Sequence, residues 1–339
     1  MRIISLIFLL VSCGKDIELI PSFNKNSAFI INGGDNSISV LDLNKLTISE
    51  PIYIDNQGES FSHHIYISKD KTILSVANSG YDFSNGHTGI HAYNGKGKAL
   101  LLNTSDAKIT KEIEIPFSSN NVIITEDNKE IWTATHSHSG KVLVYDSKSG
   151  VLLNEIPVGA DPSEIIFAKE GSLALVASSE SSFLTVIHKS EKKVIKEIKV
   201  DPLPSNVWPG FDENSVFIEN SNQKSLNIVD LNKLLVIDFI DFPFVPGHIV
   251  FNKLKNEIWV CAKSLNQIAI YTQNKGVWEL KNKINTEEDP HHISFFNNFK
   301  TAIVANQKAN SIQIIDCTSF NITKKFFTSK KPNGIAIWE

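Results

Sequence analysis

The chain has 339 residues, of which 42% are hydrophobic and 21% are charged. A chain of this length and composition can bury a large core, so a disordered protein and a small disulfide-stapled fold are both excluded. The 33 basic and 37 acidic residues give a net charge of −4, and no segment is strongly basic, so we expect no nucleic-acid partner. No apolar stretch reaches the roughly 18 residues of a membrane-spanning helix.

The first 13 residues have the features of a secretory signal that ends at a cysteine. Arg2 gives a positive start, residues 3–11 are almost purely apolar, and Ser12 precedes Cys13. This arrangement resembles the lipobox of bacterial lipoproteins. The resemblance implies a signal peptide over residues 1–12, a lipidated tether over 13–24, and palmitate-type acyl chains that anchor Cys13 to a membrane. We therefore expect a cell-envelope protein at the outer membrane or cell surface.

Seven copies of one short unit follow along the chain. The first copies read SHHIYI at 62–67 and SNNVII at 119–124, and the last reads PNGIAI at 332–337. The third residues of the copies are His64, Asn121, Glu164, Asn206, His248, His292 and Gly334. The spacing between copies is about 42 residues except for the first, and each unit has room for four short strands. Such a repeat predicts an all-β, seven-bladed β-propeller.

The two ends of the repeat region complement each other. The last copy supplies only the first strand of a unit, and residues 27–54 supply only later strands. We expect these segments to pair in one blade, which closes the ring and leaves no open edge. The repeated phrases, such as Pro-x-x-Ile at the start of a unit, resemble the YVTN family of propeller repeats. The resemblance covers residues 25–339, which we interpret as one propeller domain.

The second blade carries an insertion of about 15 residues. Residues 78–98 are rich in glycine and polar side chains, and insertions in repeat folds often form the binding face. Tyr81, Phe83 and Tyr93 are candidate contacts for a protein or glycan partner, because aromatic residues anchor interfaces. This feature supports an alternative function, that of a non-enzymatic interaction scaffold.

Nine of the ten histidines fall in loops or strand starts on one face of the expected disc. Three of them share the third repeat position, so their side chains should point the same way. Neutral imidazole binds Zn and Cu, and a carboxylate from Asp82, Glu287, Glu288 or Asp289 could join. The candidate metal ligands are His64, His91, His136, His138, His248 and His292, with His63, His87 and His291 as additional candidates.

This histidine cluster is similar to that of the nitrous-oxide reductase propeller, in which axial histidines hold a copper–sulfide cluster. The resemblance implies a metal site, and we do not extend it to that family's reaction. The sequence thus favours a propeller lipoprotein whose histidine-lined site binds a metal, Zn or Cu, or a small ligand, with catalysis left open. A lactonase-like hydrolase is a third hypothesis for the function. We expect a monomer.

The lipobox makes a direct prediction about Cys13. Substituting Cys13→Ser removes the thiol that is acylated, so the protein should move from the detergent phase to the aqueous phase in a detergent-partition experiment. The control is Cys317→Ser, whose thiol lies outside the lipobox. Retention of the C13S variant in the detergent phase would contradict the lipoprotein interpretation.

Overall fold

The computed structural model describes residues 22–55, 60–83 and 95–339 of the chain. These residues form seven antiparallel sheets, which are the blades of a propeller. The predicted all-β, seven-bladed architecture is therefore confirmed. Cys13, His87, His91 and Tyr93 lie outside the described residues. No helix among the residues that the structure describes is long and apolar enough to cross a membrane.

Blade 1 combines the two ends of the described chain. Its strands are β1 (Ser27–Asn32), β2 (Ser37–Asp42), β3 (Thr47–Ile48), β4 (Ile52–Tyr53) and β29 (Pro332–Trp338). Strand β29 is innermost, β1 and β2 follow, and both β3 and β4 pair with β2 at the outer edge.

The other six blades each contain four strands that run outward from the axis in chain order. Blades 2 to 4 consist of β5 (Ser62–Ile67), β6 (Ile73–Asn78), β7 (Gly97–Asn103), β8 (Ile109–Ile115), β9 (Ile123–Ile124), β10 (Glu130–Thr135), β11 (Lys141–Asp146), β12 (Leu152–Pro157), β13 (Pro162–Ala168), β14 (Leu173–Ser178), β15 (Phe183–His188) and β16 (Lys193–Lys199). Blades 5 to 7 consist of β17 (Asn206–Pro209), β18 (Ser215–Asn220), β19 (Ser225–Asp230), β20 (Leu235–Asp241), β21 (Ile249–Asn252), β22 (Glu257–Ala262), β23 (Gln267–Asn274), β24 (Val277–Asn285), β25 (Pro290–Phe296), β26 (Thr301–Asn306), β27 (Ser311–Asp316) and β28 (Ile322–Phe327). A 3₁₀ turn, Lys263–Leu265, joins β22 to β23.

Apolar side chains fill the space between every pair of neighbouring blades. Alternate residues of a strand point to opposite faces of the sheet, so one strand serves two interfaces. In β1, Phe29 and Ile31 pack against blade 2, whereas Ala28 and Ile30 pack against blade 7. Because both faces of the middle strands are covered, they read as almost continuous apolar runs.

The pairing of the chain ends closes the ring. Strand β1 pairs with β29 in a register that places Ser27 opposite Trp338 and Ile31 opposite Gly334. The backbone N–H of Gly33 extends this contact by donating to the carbonyl of Lys331 at 2.9 Å. The predicted closure through one shared blade is confirmed.

The aspartate that recurs at the end of the third strand caps the following turn. In blade 1, Asp42 Oδ1 accepts the backbone N–H groups of Asn44 and Lys45 at 2.9 and 2.8 Å. These bonds favour the ionised form and hold the pKa of Asp42 below its usual value. The repeated residue is therefore explained by local turn chemistry.

Removal of β29 tests the importance of closure. Deleting Pro332–Glu339 takes away the innermost strand of blade 1 and its packing against both neighbours, so the variant should show no cooperative unfolding transition by circular dichroism. Phe327→Ser, at a 72% exposed position in an outer strand, is the control and should melt close to the wild type. A deletion variant with unchanged thermal stability would disprove the role assigned to closure.

Candidate functional site

The inner strands begin at one end of the axis, which we call the top face, and polar side chains surround the axis there. The third residue of each repeat copy supplies this ring: His64, Asn121, Glu164, Asn206, His248, His292 and Gly334. In blades 2, 4 and 7 the strand pairing shifts by a bulge at the start of the inner strand. A bulge interrupts the strict alternation of side chains, so two consecutive residues can lie on the same side.

Glu164 is the centre of the ring's hydrogen bonds. Its carboxylate is fully buried and accepts the hydroxyl of Tyr66 at 2.8 Å and a bond from the amide of Asn121. His64 Nδ1 lies 3.3 Å from the other carboxylate oxygen. A blade 4 side chain thus connects to blades 2 and 3. Burial, together with the charge of Glu164, raises the pKa of Tyr66 well above its ordinary value, which keeps the phenol protonated.

Two oxygens lie near His64 Nδ1, a carboxylate oxygen of Glu164 at 3.3 Å and the hydroxyl of Tyr66 at 3.4 Å. A carboxylate oxygen beside Nδ1 favours the proton on that nitrogen, which leaves the lone pair on Nε2. A histidine oriented in this way by a carboxylate is the arrangement found around many metal ions and general bases. His64 Nε2 is therefore a nitrogen that can bind a ligand or accept a proton.

His248 and His292 stack on one another with ring centroids 3.8 Å apart. The backbone N–H of Ile293 donates to His248 Nδ1 at 3.1 Å, so the proton of that ring is on Nε2. Burial and the neighbouring histidines hold the pKa of His248 well below its ordinary value, and burial lowers that of His292 to about 3. Both rings are therefore neutral at pH 7.

The two remaining histidines of the inner strands lie beside this pair. His63 Nδ1 contacts the carbonyl of Asn120 at 3.2 Å, and the bulge leaves the rings of His63 and His64 only 4.3 Å apart. Burial lowers the pKa of His291 well below its ordinary value. The Nδ1 atoms of His291 and His292 are both buried without a hydrogen-bond partner. Such an atom is costly unless a ligand, water or ion completes it.

His136 and His138 contact different carboxylates. His136 is buried, with Nδ1 2.9 Å from Asp161, whereas the 69% exposed side chain of His138 contacts Glu180 at 2.7 Å. Both residues follow the end of β10 and belong to a loop, so the spacing of two residues does not place the rings on one side. His136 and His138 therefore stay candidate ligands, each beside a carboxylate of its own.

Phe83 packs inside the top face. Its ring lies 5.4 Å from that of His63 and 4.9 Å from that of His136, and the residue is only 5% exposed. Tyr81 packs edge-on against it at 5.1 Å. The ring of Phe83 is therefore used in internal packing, which leaves little of it for a partner.

Two carboxylates that contact imidazoles, Glu164 and Asp161, were not among those named from the sequence. Asp82 pairs with Lys331, and Glu287 pairs with Lys325, whereas Glu164 and Asp161 contact imidazoles. Sequence reasoning missed Glu164 although it shares the third repeat position with the histidines. That shared position was the signal by which Glu164 could have been found.

The spacing of the described histidines can be compared with that of imidazoles around one metal ion. Within residues 22–55, 60–83 and 95–339, no group of three or more His, Cys, Asp or Glu side chains is arranged to hold a metal ion. His64 and His292 have ring centroids 6.3 Å apart, as do His63 and His291. Two imidazoles bound to one ion at about 2 Å have centroids roughly 5 to 6 Å apart, so small ring rotations would be needed.

The sequence matches no family model and no curated protein, so the resemblance to YVTN repeats stays a prediction. Solved structures with the same fold include a functionally unknown protein from Desulfotomaculum acetoxidans, with a TM-score of 0.72 and 15% identity over 92% of this chain and 98% of that one. The periplasmic gluconolactonase of Pseudomonas aeruginosa gives 0.69 and 13% over 91% and 98%. Hydrazine synthase of Kuenenia stuttgartiensis gives 0.68 and 16% over 81% and 89%. At these identities the likeness shows the propeller fold alone.

The neutral histidines predict that stability falls in mild acid. The unfolded chain takes up a proton at each histidine as the pH drops through about 6.5, whereas native His292 stays neutral down to about 3. His292 alone should therefore lower the free energy of unfolding by about 2 kcal/mol between pH 7 and pH 5. Urea unfolding at both values measures this, and His292→Gln should reduce the difference.

The control for this experiment is Phe327→Ser, which changes an exposed side chain without a titratable group. It should leave the difference between pH 7 and pH 5 as in the wild type. An H292Q variant with the full wild-type difference would show that His292 is not the buried neutral group described above.

Proposed function

We propose that the protein is a cell-envelope lipoprotein whose propeller binds a transition-metal ion, Zn²⁺ or Cu²⁺, at the histidine cluster of the top face. The observation that carries the proposal is the pair of buried Nδ1 atoms in His291 and His292 that have no hydrogen-bond partner. Burial keeps both rings neutral, and a neutral imidazole nitrogen is the ligand that these ions prefer.

The residues differ in their fitness as ligands. His64 offers Nε2 and is oriented by Glu164, and His291 and His292 offer Nδ1. His248 is the least suited, because its Nδ1 already accepts the N–H of Ile293 and its Nε2 carries the proton. A bound ion would act as a Lewis acid at the end of the axis. Glu164 would hold His64 in place, and its burial would keep the site rigid.

The proposed location depends on the lipobox at Cys13 and is compatible with the compartment named for one protein of the same fold. The gluconolactonase that shares the fold is named as periplasmic, so a propeller of this size is used in a bacterial envelope compartment. A lipid anchor would hold the disc at a membrane while its top face remains available for a small ligand.

Metal content tests the proposal. The full chain, purified in detergent without chelator or histidine tag, should contain about one Zn or Cu per chain by elemental analysis. The double variant His64→Ala/His292→Ala should lose the metal, while His138→Ala should keep it. Metal binding should also raise the melting temperature, because a ligand of the native state adds to stability. No metal after reloading and dialysis would disprove the proposal.

A second candidate is a metal-independent hydrolase for small lactones, and the His64–Glu164 contact favours it. A carboxylate-oriented imidazole is a general base for an attacking water. Glucono-δ-lactone is the probe, since a gluconolactonase shares the fold. Hydrolysis that survives chelation and is lost in Glu164→Gln would support this candidate over the metal site. Equal hydrolysis by the wild type and the E164Q variant would rule it out.

A further inference from the structure

A cavity on the axis extends from the histidine ring toward the opposite end of the disc. Its volume is about 480 Å³, within the range of small-molecule sites. It runs from His248 and His292 down the inner strands to the loops between the first and second strands of the blades. Six blades contribute to its wall, so it is a central feature of the ring rather than a surface crevice.

The wall of this cavity, which we call the lower cavity, is mainly aromatic and aliphatic. Trp208, Phe211, Phe251, Phe295 and Phe299 are among the residues that line it. Trp208 donates its indole N–H to the buried Glu219 at 2.8 Å, so its polar atom is satisfied within the protein. The lining therefore offers apolar and π surface to a ligand.

The end of the lower cavity at the loops between the first and second strands is its mouth. The aromatic side chains there pack against one another. Phe211 packs edge-on against Phe251 at 4.9 Å and stacks on Trp278 at 5.8 Å with an interplanar angle of 7°. Phe295 and Phe299 lie 5.7 Å apart. The cavity wall is thus braced by ring contacts and needs little reorganisation to receive a flat ligand.

A single positively charged side chain, that of Lys253, lies among the described residues at the mouth of the lower cavity. Among the described residues that line the lower cavity, Lys253 is a cation and no Asp or Glu is present. Its Nζ lies 4.7 Å from the centroid of the Phe299 ring, at the edge of the aromatic wall. The histidines at the inner end are neutral and add no competing charge. An anionic group at the mouth would therefore meet an attractive field.

We propose that the lower cavity binds a small aromatic anion, with its rings against Trp208 and the phenylalanines and its acidic group at Lys253. This site adjoins the proposed metal site and shares His292 with it, because His292 lines the inner end of the lower cavity. The aromatic residues and Lys253 of the lower cavity are not among the proposed metal ligands, so the two proposals are tested at different residues.

Anilinonaphthalene sulfonate is the probe, because it combines aromatic rings with one anionic group and its fluorescence rises in apolar surroundings. The full chain in detergent below the micelle concentration should bind one probe per chain and show quenching of tryptophan emission. Val250→Phe and Ser294→Leu each add volume at a cavity-lining position, and each should weaken binding at least ten-fold. Melting temperatures check that both variants fold.

Two controls separate the parts of the proposal. Lys253→Gln should weaken the sulfonate probe several-fold yet leave uncharged N-phenylnaphthylamine unaffected, because only the first probe carries an anion. His138→Ala changes a 69% exposed side chain that does not line the lower cavity, so this variant should bind both probes as the wild type does.

Three results would overturn the proposal. They are no stoichiometric binding of the sulfonate probe, equal binding by the folded V250F and S294L variants, and equal loss of both probes in K253Q. The first two would place any probe on exposed apolar strand edges, and the third would remove the role of the anion. Since metal content is measured separately, failure here leaves the metal proposal standing, and the reverse also holds.

Discussion

The pairing of β1 with β29 is the constraint on which the rest of the structure depends. A propeller blade has no core of its own, because each face of its sheet is covered by the neighbouring blade. Seven apolar clusters lie at the seven blade interfaces, and each is built from two blades. Only a closed ring covers every face, so the position of each inner strand, and of its polar first residues, follows from this one pairing.

The fold was predictable because its signal is repeated. Seven copies with common spacing identify the four-strand unit, and the incomplete first and last copies indicate the shared blade. The same logic placed His64, His248 and His292 in equivalent positions, and the structure brings these rings together at the top of the axis. Repeat position is a strong predictor because equivalent residues occupy equivalent places around the axis.

The details of the site were less predictable, for reasons that concern individual residues. A bulge at the start of β5 breaks the side-chain alternation that a regular strand would give His63 and His64. His136 and His138 follow the last residue of β10, where strand geometry no longer applies. The link from Glu164 to His64 joins blades 4 and 2, residues 100 positions apart in sequence, and depends on how far each side chain reaches across the axis. No local pattern contains that information.

The contact made by Glu164 has a consequence for how this family of rings can change through gene duplication. Blade number in repeat proteins is altered by gain or loss of whole units, and each such event widens or narrows the central opening. Here the buried carboxylate of blade 4 accepts the hydroxyl of Tyr66 in blade 2 and the amide of Asn121 in blade 3. An eighth unit would pull these partners apart and leave a buried charge without donors. This cross-axis contact therefore ties the width of the central opening to a ring of seven blades.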